Sequence, residues 1–213
     1  MILLTGFEPF GRDTVNPSWL AVQLARESLQ AEGFAVEVIE LPCVFGESLE
    51  VLHQAISRLT PEVVVCAGLA GGRDRVSLER VAINCDDARI PDNKGQRPID
   101  EEVIPGGPAA YFSSLPIKAA LRNLQIAGIK GEISQTAGTY VCNHVFYGLM
   151  NALASRSGAR GGFVHVPYLP EQVTPEGAAP SMPLELTAEG IAVVVRTALN
   201  TPVDTKLPAG AIH

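Results

Sequence analysis

The chain has 213 residues, 46% hydrophobic and 18% charged, with a net charge of −7. A chain of this size buries roughly 70% of its unfolded surface, so one large soluble domain without disulfide or metal staples is expected. The negative charge and the lack of a basic patch with interleaved aromatics argue against nucleic acid and anionic membrane as partners. No apolar run approaches the ~20 residues needed to span a bilayer, and no signal-like segment opens the chain. Four cysteines without a Cys-x-x-Cys spacing fit free thiols in a reducing, cytoplasmic setting.

In chain order, Ile2 to Thr5 reads as a strand leading into the breaker-rich loop from Gly6 to Arg12. Asn16-Pro17 predicts a helix start, with Asn as cap and Pro in the first turn; Leu20, Leu24 and Ala31 mark its face and Gly33 its end. Residues 35–41 alternate as a strand, and 47–59 carry Leu49, Leu52, Ile56 and Leu59 at helical spacing. Residues 62–67 read as a buried strand, near-continuously apolar as parallel strands are. The following Gly68-Leu69-Ala70-Gly71-Gly72-Arg73 superficially resembles a phosphate cradle but lacks the spacing and the Lys-Ser/Thr ending of nucleotide loops. Val76 to Ile83 is expected as a single strand, with Glu79 on the side of Val81 and Ile83, either solvated at an exposed end or held for a purpose.

Residues 84–108 form the longest irregular segment, expected to be a lid or an oligomer contact. A helix at 116–127 precedes a short buried strand, Gly131-Glu132-Ile133-Ser134. A strand at 162–168 with a histidine in its middle, a loop at 170–183, a helix at 187–199 and a loose tail at 200–213 complete the chain. The alternation predicts a single-domain α/β fold, a three-layer α/β/α sandwich around a mostly parallel sheet.

Chemistry concentrates where the 131–134 strand hands over to the next helix. Val145, Leu149, Ala152 and Leu153 recur at helical spacing, placing Cys142 in or just before its first turn. Unpaired N–H groups there favour a thiolate, and an adjacent imidazolium would add to the effect. Together they are expected to bring a thiol from about 8.5 to about 6.5, raising the thiolate fraction at pH 7 from about 3% to about 75%. Cys66 lies in an apolar run, and Cys43 and Cys85 have no helix start or histidine nearby in the sequence. Among the histidines, His53 lies on a helix, His213 ends the chain, and His144 faces a different side of the helix from Cys142. His165, in an apolar strand, is either a satisfied core residue or a base. A cysteine nucleophile needs a base, and the base an orienting acid; Cys142, His165 and Glu79 lie where they can converge on one sheet. No His-x-x-His or paired-cysteine spacing suggests a metal.

The pattern resembles the pyroglutamyl peptidase I, or pyrrolidone carboxyl peptidase, family. The resemblance rests on Gly6-Phe7-Glu8-Pro9-Phe10-Gly11, Val15-Asn16-Pro17-Ser18, Glu79-Arg80-Val81-Ala82-Ile83-Asn84 and Ala88-Arg89-Ile90-Pro91-Asp92. It continues through Gly106-Gly107-Pro108-Ala109-Ala110-Tyr111, Ser134-Gln135-Thr136-Ala137-Gly138-Thr139 with Cys142-Asn143-His144, and Gly161-Gly162-Phe163-Val164-His165-Val166-Pro167-Tyr168. It implies a cytosolic, cofactor-free cysteine peptidase, usually a homotetramer (a dimer is the alternative), that removes N-terminal pyroglutamate from peptides. Cys142 would be the nucleophile, His165 the base and later the acid, Glu79 its orienter, and Arg89 an oxyanion stabiliser. An uncharged lactam calls for an apolar pocket, with Phe7 and Phe10 sandwiching the ring and Tyr140 and Val141 lining it. Asn16 either steadies the pocket loop or only caps its helix. Two positions depart from the family pattern: Leu69 replaces an expected glutamine and Tyr140 a common phenylalanine. Another cysteine-dependent amidase, or a catalytically silent α/β binding protein, is the alternative.

Overall fold

A computed structural model describes residues 1–11, 13–173 and 179–210. Six strands form the main sheet: β1 (Ile2–Phe7), β2 (Val36–Leu41), β3 (Val63–Leu69), β4 (Val76–Glu79), β7 (Gly131–Ser134) and β8 (Arg160–Val166), in the order β2-β1-β3-β8-β4-β7. All neighbours run parallel except β4 and β8, which are antiparallel. Helices α1 (Pro17–Ala31), α3 (Ile117–Ile126) and α5 (Leu184–Asn200) cover one face, packing on Val65, Ala67, Val76, Leu78, Val164 and Val166. The other face, with Leu3, Phe7, Val64, Cys66 and Phe163, lies under α2 (Glu47–Leu59) and α4 (Val141–Leu153). β3 is buried at every position because helices cover both its faces.

Several local expectations hold. Asn16 caps α1, its Oδ1 accepting from Ser18 N at 3.1 Å, with Pro17 in the first turn. Gly33 ends that helix at φ +91°, a conformation only glycine adopts cheaply.

Others are corrected. The strand expected over 76–83 breaks at Arg80: β4 belongs to the main sheet, while β5 (Val81–Ile83) pairs antiparallel with β6 (Ala110–Phe112), a strand absent from the sequence reading. Residues 131–134 are half-buried rather than buried, because β7 is an edge strand. The tail is tied down at least to residue 207. Asp204 accepts from the Lys118 and Ala119 N–H groups at 3.0 and 2.9 Å, Lys118 Nζ reaches Leu207 O at 2.8 Å, and Arg160 donates to Ala198 and Pro202 carbonyls. His213, the last part of the tail and the middle of the 170–183 loop lie outside the described residues.

Segment 84–108 has little regular structure but is bonded along its length. Asp86 and Glu101 exchange backbone hydrogen bonds, Asp87 N bonds Thr139 O, Pro91 O accepts from Tyr140 Oη, and Asp92 accepts from the Phe45, Lys94 and Gln96 N–H groups.

Candidate active site

The β8 strand carries Phe163 and His165 on the face beneath α4. His165 is 4% exposed and lies next to the strand's end rather than in its middle. Its Nδ1 stands 2.7 Å from Glu79 Oε1. An ionised carboxylate only accepts hydrogen bonds, so Nδ1 carries the proton and Nε2 keeps its lone pair. Glu79 is fully buried, which overturns the solvated-edge reading. Its depth follows from the reversal of β4: Ser77 pairs with His165, so the chain carries Glu79 downward along β8 rather than up to the sheet's rim.

On the neighbouring strand, Gly68 pairs with His165 in parallel register. A Cβ at Gly68 would lie 2.8 Å from Cys142 Sγ, so the sulfur rests on bare backbone about one strand spacing, ~4.8 Å, from the His165 backbone. Cys142 is the second residue of α4, whose leading N–H groups have no intrahelical partner. The helix start is fixed by Asn143, which accepts from Ile83 N at 3.0 Å and donates to Ile83 O and Cys85 O, each at 2.9 Å. The thiol itself makes no hydrogen bond among the described residues; such pairs commonly tighten only with substrate.

The expected lowering of the thiol is not met. The residue as a whole is only partly buried, but desolvation of its sulfur, with the charge of Glu79 adding to it, pushes the Cys142 thiol above its ordinary range, and the opposing pull of Arg73 is weaker. The helix start alone therefore does not offset the desolvation of the sulfur. A base within reach is needed to take the thiol proton.

The remaining sequence candidates divide by position. Phe10 is partly buried 6.3 Å from Tyr140, whereas Phe7 is core, 2% exposed and 6.3 Å from Phe163. Val141 is 1% exposed. Tyr140 precedes α4 and donates to Pro91 O at 3.0 Å. Asn16 does both things considered for it: besides capping α1, its Nδ2 donates to Glu8 O at 3.0 Å, steadying the loop that holds Phe10. Arg89 is exposed, between Asp87 and Pro91, whose backbones bond Thr139 and Tyr140 at the threshold of α4. Leu69 ends β3, opposite Val166, and is 8% exposed.

Other participants escaped the sequence reading. Phe45 packs edge-on against Tyr140 and His144, at 5.5 and 5.3 Å. His144 donates Nδ1–H to Asp86 Oδ2 at 2.7 Å and accepts from Gly46 N at Nε2, 2.9 Å, joining α4 to the start of α2. Arg73 bonds Glu79 at 2.8 Å. A lone Arg after a glycine turn, or a His after Asn, carries no local signal of such partners. Among the described residues, no group of three or more His, Cys, Asp or Glu is arranged to hold a metal ion, and no helix is long and apolar enough to cross a membrane.

The family model described as pyroglutamyl peptidase matches residues 1–201. The chain belongs to the pyroglutamyl peptidase family. Pyrrolidone-carboxylate peptidase of Klebsiella pneumoniae (strain 342) is 52% identical over 212 residues, covering 100% of this chain and 99% of that protein. The protein of the same name from Streptomyces coelicolor is 53% identical over 215 residues, with the same coverage of each chain. The crystal structure of pyroglutamyl peptidase I from Bacillus amyloliquefaciens superimposes with a TM-score of 0.92 at 46% identity, covering 97% of this chain and 98% of its own. A mutant pyrrolidone carboxyl peptidase from Pyrococcus furiosus gives 0.85 at 39% identity, over 95% and 99%. This is therefore a hydrolase of a cysteine peptidase family, and the expected fold is the observed one.

Proposed function

We propose that this chain is a cysteine exopeptidase that hydrolyses the amide bond following an N-terminal pyroglutamyl residue. The observation that carries the reading is the Glu79–His165 hydrogen bond on the same sheet face as Cys142 Sγ, seated over Gly68. His165 Nε2 takes the thiol proton as Sγ attacks the pyroglutamyl carbonyl carbon. The oxyanion meets the leading N–H groups of α4, with Arg89 beside them. The imidazolium, oriented by Glu79, returns its proton to the leaving amine, and the C–N bond breaks to give a thioester. Water then loses a proton to His165, attacks the thioester and releases pyroglutamate, restoring the thiol.

Phe10 and Tyr140, with Phe45 behind Tyr140, offer an apolar wall for an uncharged lactam. Phe7 and Val141 contribute from beneath as buried packing. A site built to bond the ring carbonyl rejects rings lacking it, so pyroglutamyl substrates are favoured over prolyl ones. Segment 84–108 then borders the cleft as its rim, or serves as a contact between copies. The four free cysteines fit a cytoplasmic setting, and the chain works as a homo-oligomer, a tetramer or dimer, which sedimentation velocity would decide.

A catalytically silent binding protein would also tolerate a partly buried, un-ionised thiol. The buried carboxylate aimed at His165 Nδ1 favours the enzyme, because a packing histidine needs no such acid. The deciding assay is amine release from a pyroglutamyl-arylamide under reducing conditions, with prolyl-arylamide and Cys142→Ser as controls. Thiol-dependent cleavage of the pyroglutamyl compound alone is expected; no cleavage by folded, reduced wild type overturns the reading.

A further inference from the structure

The turn that follows β3 takes no part in the steps above, yet its construction is specific. Ala70 N still bonds Val166 O at 2.9 Å as the chain leaves the sheet. Gly71 lies under the Tyr168 ring, where a Cβ would stand 2.8 Å from Cε2, and Gly72 turns the chain at φ +88°. The result delivers the Arg73 guanidinium into the sheet: Nη1 stands 2.8 Å from Glu79 Oε1, the same oxygen that accepts from His165 Nδ1 at 2.7 Å. The other oxygen, Oε2, is buried with no partner among the described residues.

A carboxylate so placed is costly to keep ionised without a compensating charge. Among the described residues Arg73 is the one Lys or Arg paired with it. If Glu79 took up a proton it would become a hydrogen-bond donor towards His165 Nδ1. The imidazole would then hold its proton on Nε2, where no lone pair remains for the Cys142 thiol. We infer that Arg73 is a positioning residue, which keeps Glu79 ionised and thereby holds His165 in the tautomer that accepts the Cys142 proton. The inference rests on the peptidase reading for the role of His165. The ionisable groups around Glu79 are Arg73 from the turn, His165 on β8 and Cys142 on α4, with Cys43 and Cys66 near the thiol; Glu132 on β7 bonds Ser77 two residues before it. The charge of Arg73 also favours the Cys142 thiolate.

The test compares wild type, Arg73→Met and Arg73→Lys in two assays over pH. One is kcat/KM on a pyroglutamyl-arylamide. The other is the rate of Cys142 alkylation by iodoacetamide, followed by peptide mass, which needs no turnover. For R73M, kcat/KM should fall about 100-fold near pH 6 and recover about ten-fold of that by about pH 9. Alkylation should follow the same trend, and R73K should keep the wild-type profile within about threefold. Should R73M not fold, Arg73→Gln carries the same expectation. A loss equal at every pH, or no loss, overturns the inference, because a merely structural turn would give one of these. An alkylation profile that shifts in R73M while wild type fails to cleave the substrate would remove the peptidase reading and leave the Arg73–Glu79–His165 coupling standing.

Discussion

Gly68 and Cys142 occupy one volume between them. A Cβ on the glycine would lie 2.8 Å from the cysteine sulfur and equally close to Phe163 Cζ. The nucleophile proposed for this chain is thus held by the absence of a side chain on the strand beside His165, not by a bond of its own. Gly68→Ala should displace the sulfur or the ring. A misplacement on the order of 1 Å costs about 100-fold in rate, and overpacking costs roughly 1–3 kcal/mol. Kinetics and a thermal melt on the variant check both; unchanged kcat/KM would mean that the sulfur is not seated there.

The two histidines of this face should separate by readout. His165→Ala is expected to abolish turnover, and because Glu79 keeps its bond from Arg73 the accompanying loss of stability should not exceed that of His144→Ala. His144→Ala removes the residue that links Gly46 to Asp86, leaving the buried Asp86 carboxylate without its partner while the exposed Gly46 N–H turns to water. A cost of about 1–3 kcal/mol is expected for the one orphaned buried group, with the shape of the kcat pH profile retained. Urea unfolding alongside steady-state kinetics distinguishes the two, and a displaced kcat profile in His144→Ala would contradict this division of labour.

Stability should decline on the alkaline side. Burial pushes the Cys66 thiol up to about 12, and burial, with Glu8 and Asp92 adding to it, does the same for Cys43. The folded state keeps these protons where the unfolded chain has lost them. Fewer protons bound in the unfolded state means that stability falls with rising pH. The fall starts near the ordinary thiol value of 9.0 and ends near 12. Each thiol contributes a slope of roughly 1.4 kcal/mol per pH unit within that window. Urea titrations between these limits should show the slope reduced in Cys66→Ala relative to wild type; an unreduced slope would assign the alkaline loss to other groups.

Asp204→Ala removes the carboxylate that receives the first N–H groups of α3. Loss of such a cap costs about 1 kcal/mol, and turnover should be untouched, since α3 lies on the opposite face of the sheet from Cys142. Thermal melts and kcat/KM test the two halves of that statement.

The parts of the molecule legible in the sequence are those written by local pattern. The Asn16-Pro17 start, the 47–59 helix and the strand-to-helix passage at Cys142 each follow from spacing and cap chemistry within a dozen residues. What was not legible depends on pairing between distant segments. Alternation through 76–83 continues smoothly across Arg80, although the residues on either side of it join different sheets. The direction of the thiol shift is set by packing over Gly68 and by Glu79, neither of which is near Cys142 in sequence. Arg73 closes a glycine turn with no local sign of its role, because its partner Glu79 comes into reach only when the chain has doubled back into β4.

The bonds made beyond α5 decide where the protein accepts attachments. Residues 201–207 serve as the strap that closes the start of α3 onto the start of β8. Truncation at Asn200 would therefore unlatch two elements rather than trim an end. An affinity tag or fusion partner fits best when appended after Gly210, with the strap left whole.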